Sequence, residues 1–391
     1  MSFQEVLQRG DEFLKEFPRQ SLWWNIASHA TCLSVLLPTK LVLNVLYRPY
    51  VHNIDKLDYA LDKARRENRS LLTVMNHMSI VDDPTFYAAL PMRFLSDLDT
   101  MRWGFGAENI CFANSFTAWF FSLGKVLSAK RFGAGPFQTS LDAAIRVLSP
   151  DDTLSSDYFF GRDRDDEIRG TKKSQDKNEK GQKTKDVSTT IGEPPIRRSK
   201  TSWFHVFPEG YVLQLHAPHN NSMRYFKWGV SRLILESTRA PVVVPIYAYG
   251  FEKLAPENRV DDGFFSWFPS NIGSEVHINI GDPFPDEKVY QYREQWMKLC
   301  EAKKDPNNHS DLSNELKYGP EVKLLRSNLA AELRSSVLAI KDSLHIFYRE
   351  DARFQYPEFW KAYTVTEGKN ASDVKFVGRN WADKRLQKPT K

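Results

Sequence analysis

A histidine and an aspartate stand five residues apart in the stretch NHMSIVDDP, Asn76 to Pro84. In an ideal helix that spacing turns two side chains about 140° away from each other, so His77 and Asp82 can meet only across a turn. The neighbouring residues supply one. SLLTVMN, Ser70 to Asn76, reads as a buried strand, and Asp83 followed by Pro84 reads as the start of a short helix, which leaves Met78 to Val81 as the turn between them. Both side chains then lie at the carboxyl end of a strand, where α/β folds place their ligand sites. An aspartate bonded to one ring nitrogen fixes the imidazole tautomer and leaves the other nitrogen to take a proton from a substrate hydroxyl, which is half of an acyl-transfer site. A structural histidine in an ordinary turn shares the same spacing.

Two further stretches bear on that choice. HVFPEG ends a strand with a proline-locked turn, Phe207 to Gly210, that projects Glu209 at a second strand end. KRFGAGPF, Lys130 to Phe137, sets Arg131 beside a glycine-rich turn leading into a helix, which suits a phosphate through both its charge and the helix amino-terminus. Ser79 lies between His77 and Asp82, but no G-x-S-x-G elbow surrounds it, so direct attack by a substrate hydroxyl is simpler than a covalent serine route.

The elements that must position these residues alternate. WFHVF, PVVVPIYAY and EVHINI read as strands, NICFAN as a further strand, and GPFQTSLDAAIRVLS and SMRYFKWGVSRLILEST as helices. This pattern implies an α/β domain with a largely parallel, covered sheet. VYQYREQWMKLCEAK and EVKLLRSNLAAELRSSVLAIKDSLH follow as C-terminal helices. The expected organisation is an N-terminal region over 1–50, the α/β domain over 51–288 and a C-terminal helical region with a basic tail over 289–391. Residues 155–198, whose stretch from Asp163 to Asp186 is mostly charged and poor in core formers, read as a disordered loop inside the domain.

At 391 residues the chain is long enough for a sizeable core. Its net charge of +5 is spread along the chain, which leaves no nucleic-acid footprint. Cys32, Cys111 and Cys300 have no paired spacing, and no H-E-x-x-H or other ligand cluster is visible, so neither a disulfide framework nor a metal or other cofactor is expected. The first twenty residues contain Glu5, Asp11, Glu12 and Glu16 and resemble no cleavable presequence. Leu22 to Tyr47 is apolar but interrupted by Pro38 and Lys40, so it reads as a kinked, monotopic insertion carried by Leu22, Trp23, Trp24, Leu36 and Leu37; a buried helical hairpin is the alternative.

In this order, NHMSIVDDP, RFGAGPF, FPEG and VVVPI resemble the motif blocks of the glycerolipid acyltransferase superfamily, whose leading block is His, four residues, Asp. FQEVLQRGDEFL, FFSLGKVLSAKRFG and NNSMRYFKWG extend the resemblance, over nearly the whole chain, to the mitochondrial branch of that superfamily that moves acyl chains between phospholipids and lysophospholipids. The resemblance implies His77 as general base and Asp82 as its orienting partner. It also implies Arg131, Phe132 and Gly133 as contacts to lipid phosphate, and Phe207, Pro208, Glu209 and Gly210 as acceptor-binding residues. It further implies CoA-independent remodelling of cardiolipin and monolysocardiolipin among other phospholipids, without a cofactor. The setting would be a mitochondrial membrane facing the intermembrane space, with membrane-protein complexes or a homo-oligomer as partners. An acyl-CoA-dependent lysophospholipid acyltransferase is the alternative reading, and a catalytically idle lipid-binding scaffold is a third.

Overall fold

Leu71–Met75 is buried at every position, as a central strand covered on both faces requires. The computed structural model describes residues 22–96, 101–130, 135–149, 202–258, 269–305, 312–360 and 372–377. The chain enters as helix α1 (Leu22–Leu46), followed by β1 (Arg48–His52), α2 (Ile54–Arg66), β2 (Leu71–Met75) and α3 (Asp82–Ala89). β3 (Gly104–Ala107), α4 (Ser115–Leu123), β4 (Val126–Ala129) and α5 (Thr139–Leu148) come next. Then come β5 (Trp203–Val206), α6 (Gly229–Leu235), β6 (Val242–Tyr249), β7 (Glu275–Ile280) and the long helices α7 (Asp286–Lys303) and α8 (Pro320–Ser343).

The main sheet has the order β1-β7-β6-β2-β5 and is parallel except where β6 meets β7. A parallel bridge from Trp103 to Phe204 sets the small parallel β3–β4 pair beside β5. Alternation along β2 divides the core in two. Leu72 and Val74 join the cluster that includes α5, α6, α7 and α8 residues, whereas Leu71 and Met75 join that of α1, α2 and α3. The result is an α/β/α sandwich with the sheet in the middle. α2 shows why its layer forms: Leu57, Ala60, Leu61 and Ala64 recur at helical spacing and are its buried face.

Three local expectations are corrected. Asn109 to Asn114 is not a strand: residues Glu108–Cys111 form a helical turn, and Asn114 caps α4 through a capping box with Thr117. Only Gly229–Leu235 of the SMRYFKWGVSRLILEST stretch is helical, and the backbone of Met223 and Arg224 before it is bonded elsewhere. Met223 N–H goes to Glu350 and Arg224 N–H to Glu209, each at 2.8 Å, while Arg334 takes the carbonyls of both residues.

α1 is likewise a continuous helix through Pro38. Ser34, whose carbonyl the proline ring frees, and Pro38 itself both lie on the exposed face, so solvent or lipid meets the disturbed turn. Lys40 does not break the helix either. Its ammonium turns inward and donates to Ala88 O and Leu90 O at 2.8 and 2.7 Å, which caps the carboxyl end of α3. Of the side chains expected to insert into lipid, Trp23 and Leu37 are 77% and 44% exposed, but Leu36 is 5% exposed and packs in the core. Trp24 is half-buried against the other core cluster. Replacing Lys40 by Met should lower stability by about 1–3 kcal/mol, because two buried-end carbonyls of α3 lose their donor; urea unfolding of the purified protein measures it.

Candidate active site

The β2–β5 register dictates which turns meet. Val74 pairs with Val206, so three residues further along the two parallel strands His77 stands beside Glu209. β2 has just ended between two neighbours, and its last polar groups need partners. On the β6 side, Asn76 replaces the lost strand pairing: its side-chain amide donates to Ala248 O and accepts from Ala248 N–H, at 2.9 and 2.8 Å. On the β5 side, Glu209 Oε1 accepts the His77 N–H at 2.8 Å, and Oε2 accepts the Arg224 N–H. His77 O receives the Leu213 N–H. The backbone around His77 is therefore held from both flanking strands.

The turn closes on Asp82, the first residue of α3. Its Oδ2 accepts from Met78 N–H at 2.7 Å and Ser79 N–H at 2.9 Å, and lies 2.8 Å from His77 Nδ1. Asp82 is 1% exposed. Burial pushes its carboxyl pKa up, against the pull of His77 and the two amides. With Nδ1 occupied, His77 keeps Nε2 without a protein partner among the described residues, on a side chain that is 17% exposed. Phe207 stacks on the imidazole with ring centroids 4.4 Å apart, which restricts the ring's rotation. This arrangement can hold a tautomer, accept a proton at Nε2 and stabilise the resulting imidazolium.

Of the residues singled out from sequence, those at the ends of β2 and β5 have a definite place. His77 and Asp82 come together across the turn, as expected from their spacing. Glu209 does not project from its turn: it is buried, and both its oxygens are bonded to the chain's own amides. Burial pushes its carboxyl up to about 8, against the pull of those two amides and of the Arg224 and Arg334 guanidinium groups. Phe207 faces His77, and Pro208 O accepts the Lys227 N–H at 2.9 Å. Gly210 has φ +73°, and a side chain there would meet Lys227 Nζ at 2.8 Å, so glycine suits both the backbone and the space. Arg131, Phe132 and Gly133, and the charged segment 155–198, lie outside the described residues. The ends of the glycine-rich turn are within them, and Gln138 ties them together by bonding to Lys130 N–H, Lys130 O and Gly135 O.

Two features escaped the sequence reading. His205 lies beneath Phe207 at 4.8 Å and stacks on Phe86 at 4.6 Å. Thr73 Oγ1 accepts from Trp203 Nε1 and is hydrogen-bonded to His205 Nδ1, 2.7 Å away. Burial holds the His205 pKa well below the usual imidazole value, with Arg102 and His77 adding to the effect, so this ring is neutral. Its place two residues before Phe207 on an inward-facing strand was the available signal. Arg102 is the second: it forms a bidentate pair with Asp83, next to Asp82, and donates to Gly124 O at 3.3 Å. Among the described residues, His219, Asp351 and Asp373 cluster closely enough to hold a cation, but Arg353 already bonds both carboxylates.

Comparison with known proteins identifies the class. The acyltransferase family model matches residues 51–249, which contain the His77–Asp82 turn, the β2–β5 junction and Glu209. Tafazzin from Saccharomyces cerevisiae is 50% identical over 391 residues, which covers 99% of this chain and 97% of that one. Taffazin from Dictyostelium discoideum is 31% identical over 67% of this chain and 68% of its own. N-acylphosphatidylethanolamine synthase from Arabidopsis thaliana is 30% identical over 60% of this chain and 62% of its own. These matches define an acyltransferase. Within that class, the chain belongs to the tafazzin family.

Glu209→Gln replaces one accepting oxygen by an NH₂ that faces an amide N–H. It should lower stability by about 1–3 kcal/mol and reduce acyl transfer together with it. Thermal unfolding and a transfer assay on the same preparation test this, and a variant with unchanged melting would contradict the bracing role.

Proposed function

We propose that the protein is a CoA-independent phospholipid–lysophospholipid transacylase, with His77 as general base and Asp82 as its orienting partner. The observation that carries the reading is the 2.8 Å contact between His77 Nδ1 and a carboxylate oxygen already fixed by two backbone amides, which leaves Nε2 on the accessible side. In the proposed step the hydroxyl of a lysophospholipid gives its proton to Nε2 as its oxygen bonds to the ester carbonyl carbon of a second phospholipid. The tetrahedral intermediate then breaks the original C–O bond, and the departing glycerol oxygen takes the proton back from Nε2. His77 and Asp82 end as they began. One ester replaces a similar ester, so the exchange is close to isoenergetic and runs in either direction without an activated thioester.

The resemblance of the motif blocks extends the proposal to cardiolipin and monolysocardiolipin as substrates and to a mitochondrial membrane facing the intermembrane space. Arg131, Phe132 and Gly133 are proposed to meet the lipid phosphate. Support for that role comes from the neighbouring Lys130 and from the tie that Gln138 makes across the ends of the turn. Pro208, Glu209 and Gly210 support the site by shaping the wall beside His77, with Phe207 covering its ring.

Purified protein mixed with a phospholipid labelled in one acyl chain and an unlabelled lysophospholipid, in vesicles, should move the label without acyl-CoA. Transfer only from labelled acyl-CoA would establish the conventional acyltransferase instead. Asp82→Asn can keep the three bonds to the Oδ2 position but loses the negative charge that balances the imidazolium, so it should reduce the CoA-independent rate by about 10²–10⁴-fold. A near-normal rate in that variant would remove Asp82 from the reaction.

A further inference from the structure

Trp23, Ile26, Leu37, Leu41 and Val45 are 77%, 50%, 44%, 66% and 68% exposed. Their spacing lays them along one stripe of α1, about 33 Å from end to end. Ser28, Cys32, Leu36 and Leu43 form the opposite, buried stripe. Lys40, the helix's one Lys, Arg, Asp or Glu, turns inward to α3, so the exposed stripe carries no formal charge. Single exposed apolar residues are ordinary, but an uncharged run of this length marks a contact surface.

α4, which packs against α1, carries a second exposed apolar face. Its sequence, SFTAWFFSL, has no charged residue. Ala118, Ser122 and Leu123 are its buried positions, whereas Phe116 and Trp119, one turn apart, are 73% and 48% exposed. The last turn of α4 rests on α1, where Ser28 Oγ donates to Leu123 O at 2.6 Å. Both helices are also bonded to the segment that carries Asp82. Lys40 caps the end of α3, and Arg102 joins Gly124 O, just past α4, to Asp83.

We propose that α4 is a second membrane-inserting element, whose Phe116 and Trp119 enter the same leaflet as the exposed stripe of α1. Lipid fits this surface better than a second protein copy. A protein interface carries a polar rim, whereas here two adjoining helices present uncharged faces. Tryptophans, Trp23 and Trp119, stand in both contributions, and tryptophan favours the headgroup level. The face also belongs to a helix packed against α1, whose own exposed stripe is read from the sequence as membrane-inserting. Two contacts instead of one fix the orientation of the protein on the bilayer, and the bonds to α3 and Asp83 carry that orientation to the His77 turn. The inference rests on the lipid-substrate reading, but its test does not require turnover.

The test places a probe on α4. Phe116→Cys in a Cys111→Ser background, with Cys32 and Cys300 buried, is labelled with an environment-sensitive fluorophore. The full-length protein is then added to phosphatidylcholine–cardiolipin vesicles with or without brominated acyl chains. The proposal predicts a blue shift and quenching by the brominated lipid, unchanged when His77→Ala is added. A probe that stays in water while the protein sediments with the vesicles would overturn it. So would a probe shielded without lipid in a protein that sediments as a dimer, since a second copy would then own the face. Independently, the double variant Phe116→Gln with Trp119→Gln should partition onto vesicles about tenfold or more weakly, and unchanged partitioning would contradict insertion.

Discussion

Three nitrogen donors converge on one buried oxygen, Oδ2 of Asp82, and the surroundings of the site follow from keeping them there. The amides of Met78 and Ser79 and the ring of His77 all point inward to it. Releasing any of them would strand a polar group away from water, at a cost of about 1–3 kcal/mol. The turn from β2 into α3 must therefore be short and tightly closed. It must also be held at both ends. Arg102 grips Asp83 at the start of α3, Lys40 caps the far end, and Asn76 and Glu209 secure the end of β2 against its two neighbouring strands.

The electrostatic surroundings suit a base that cycles through a positive charge. His205, the other imidazole near the turn, is kept neutral by burial and adds no competing charge beneath the ring. Asp82 supplies the compensating negative charge in direct contact, in a place from which water is excluded, and such a contact is stronger there than at the surface. Phe207 covers one face of His77, so the ring can neither turn away from Asp82 nor be solvated on that side. In the proposed transacylation, orientation and proton transfer supply the catalysis, because the chemistry exchanges like for like and needs no activated donor.

What could be read from sequence was what is encoded locally. The His77–Asp82 pair was legible because the short stretch from Met75 to Asp82 contains the strand end, the turn and the helix start. Glu209 was visible as a motif residue, but its bracing contact spans 132 residues and depends on the β2–β5 register, which nothing in HVFPEG specifies. β3, with the sequence GFGA, carries no β-branched residue and lies outside the strand pattern, so it escaped notice, and the apolar NICFAN beside it was read as the strand instead. For α1, composition identified an exposed apolar helix but not its faces. Leu36 and Leu37 are neighbours in sequence that point about 100° apart, and only packing against α3 and α4 decides which is buried.

The central claim is that His77 takes the substrate proton. The most direct measurement is the rate at which label moves from phospholipid to lysophospholipid for His77→Ala, on vesicles to which that variant is shown to bind as the wild type does. The account predicts transfer at the uncatalysed background with membrane binding intact. Transfer near the wild-type rate would mean that another group is the base, and that the pair with Asp82 only closes the turn.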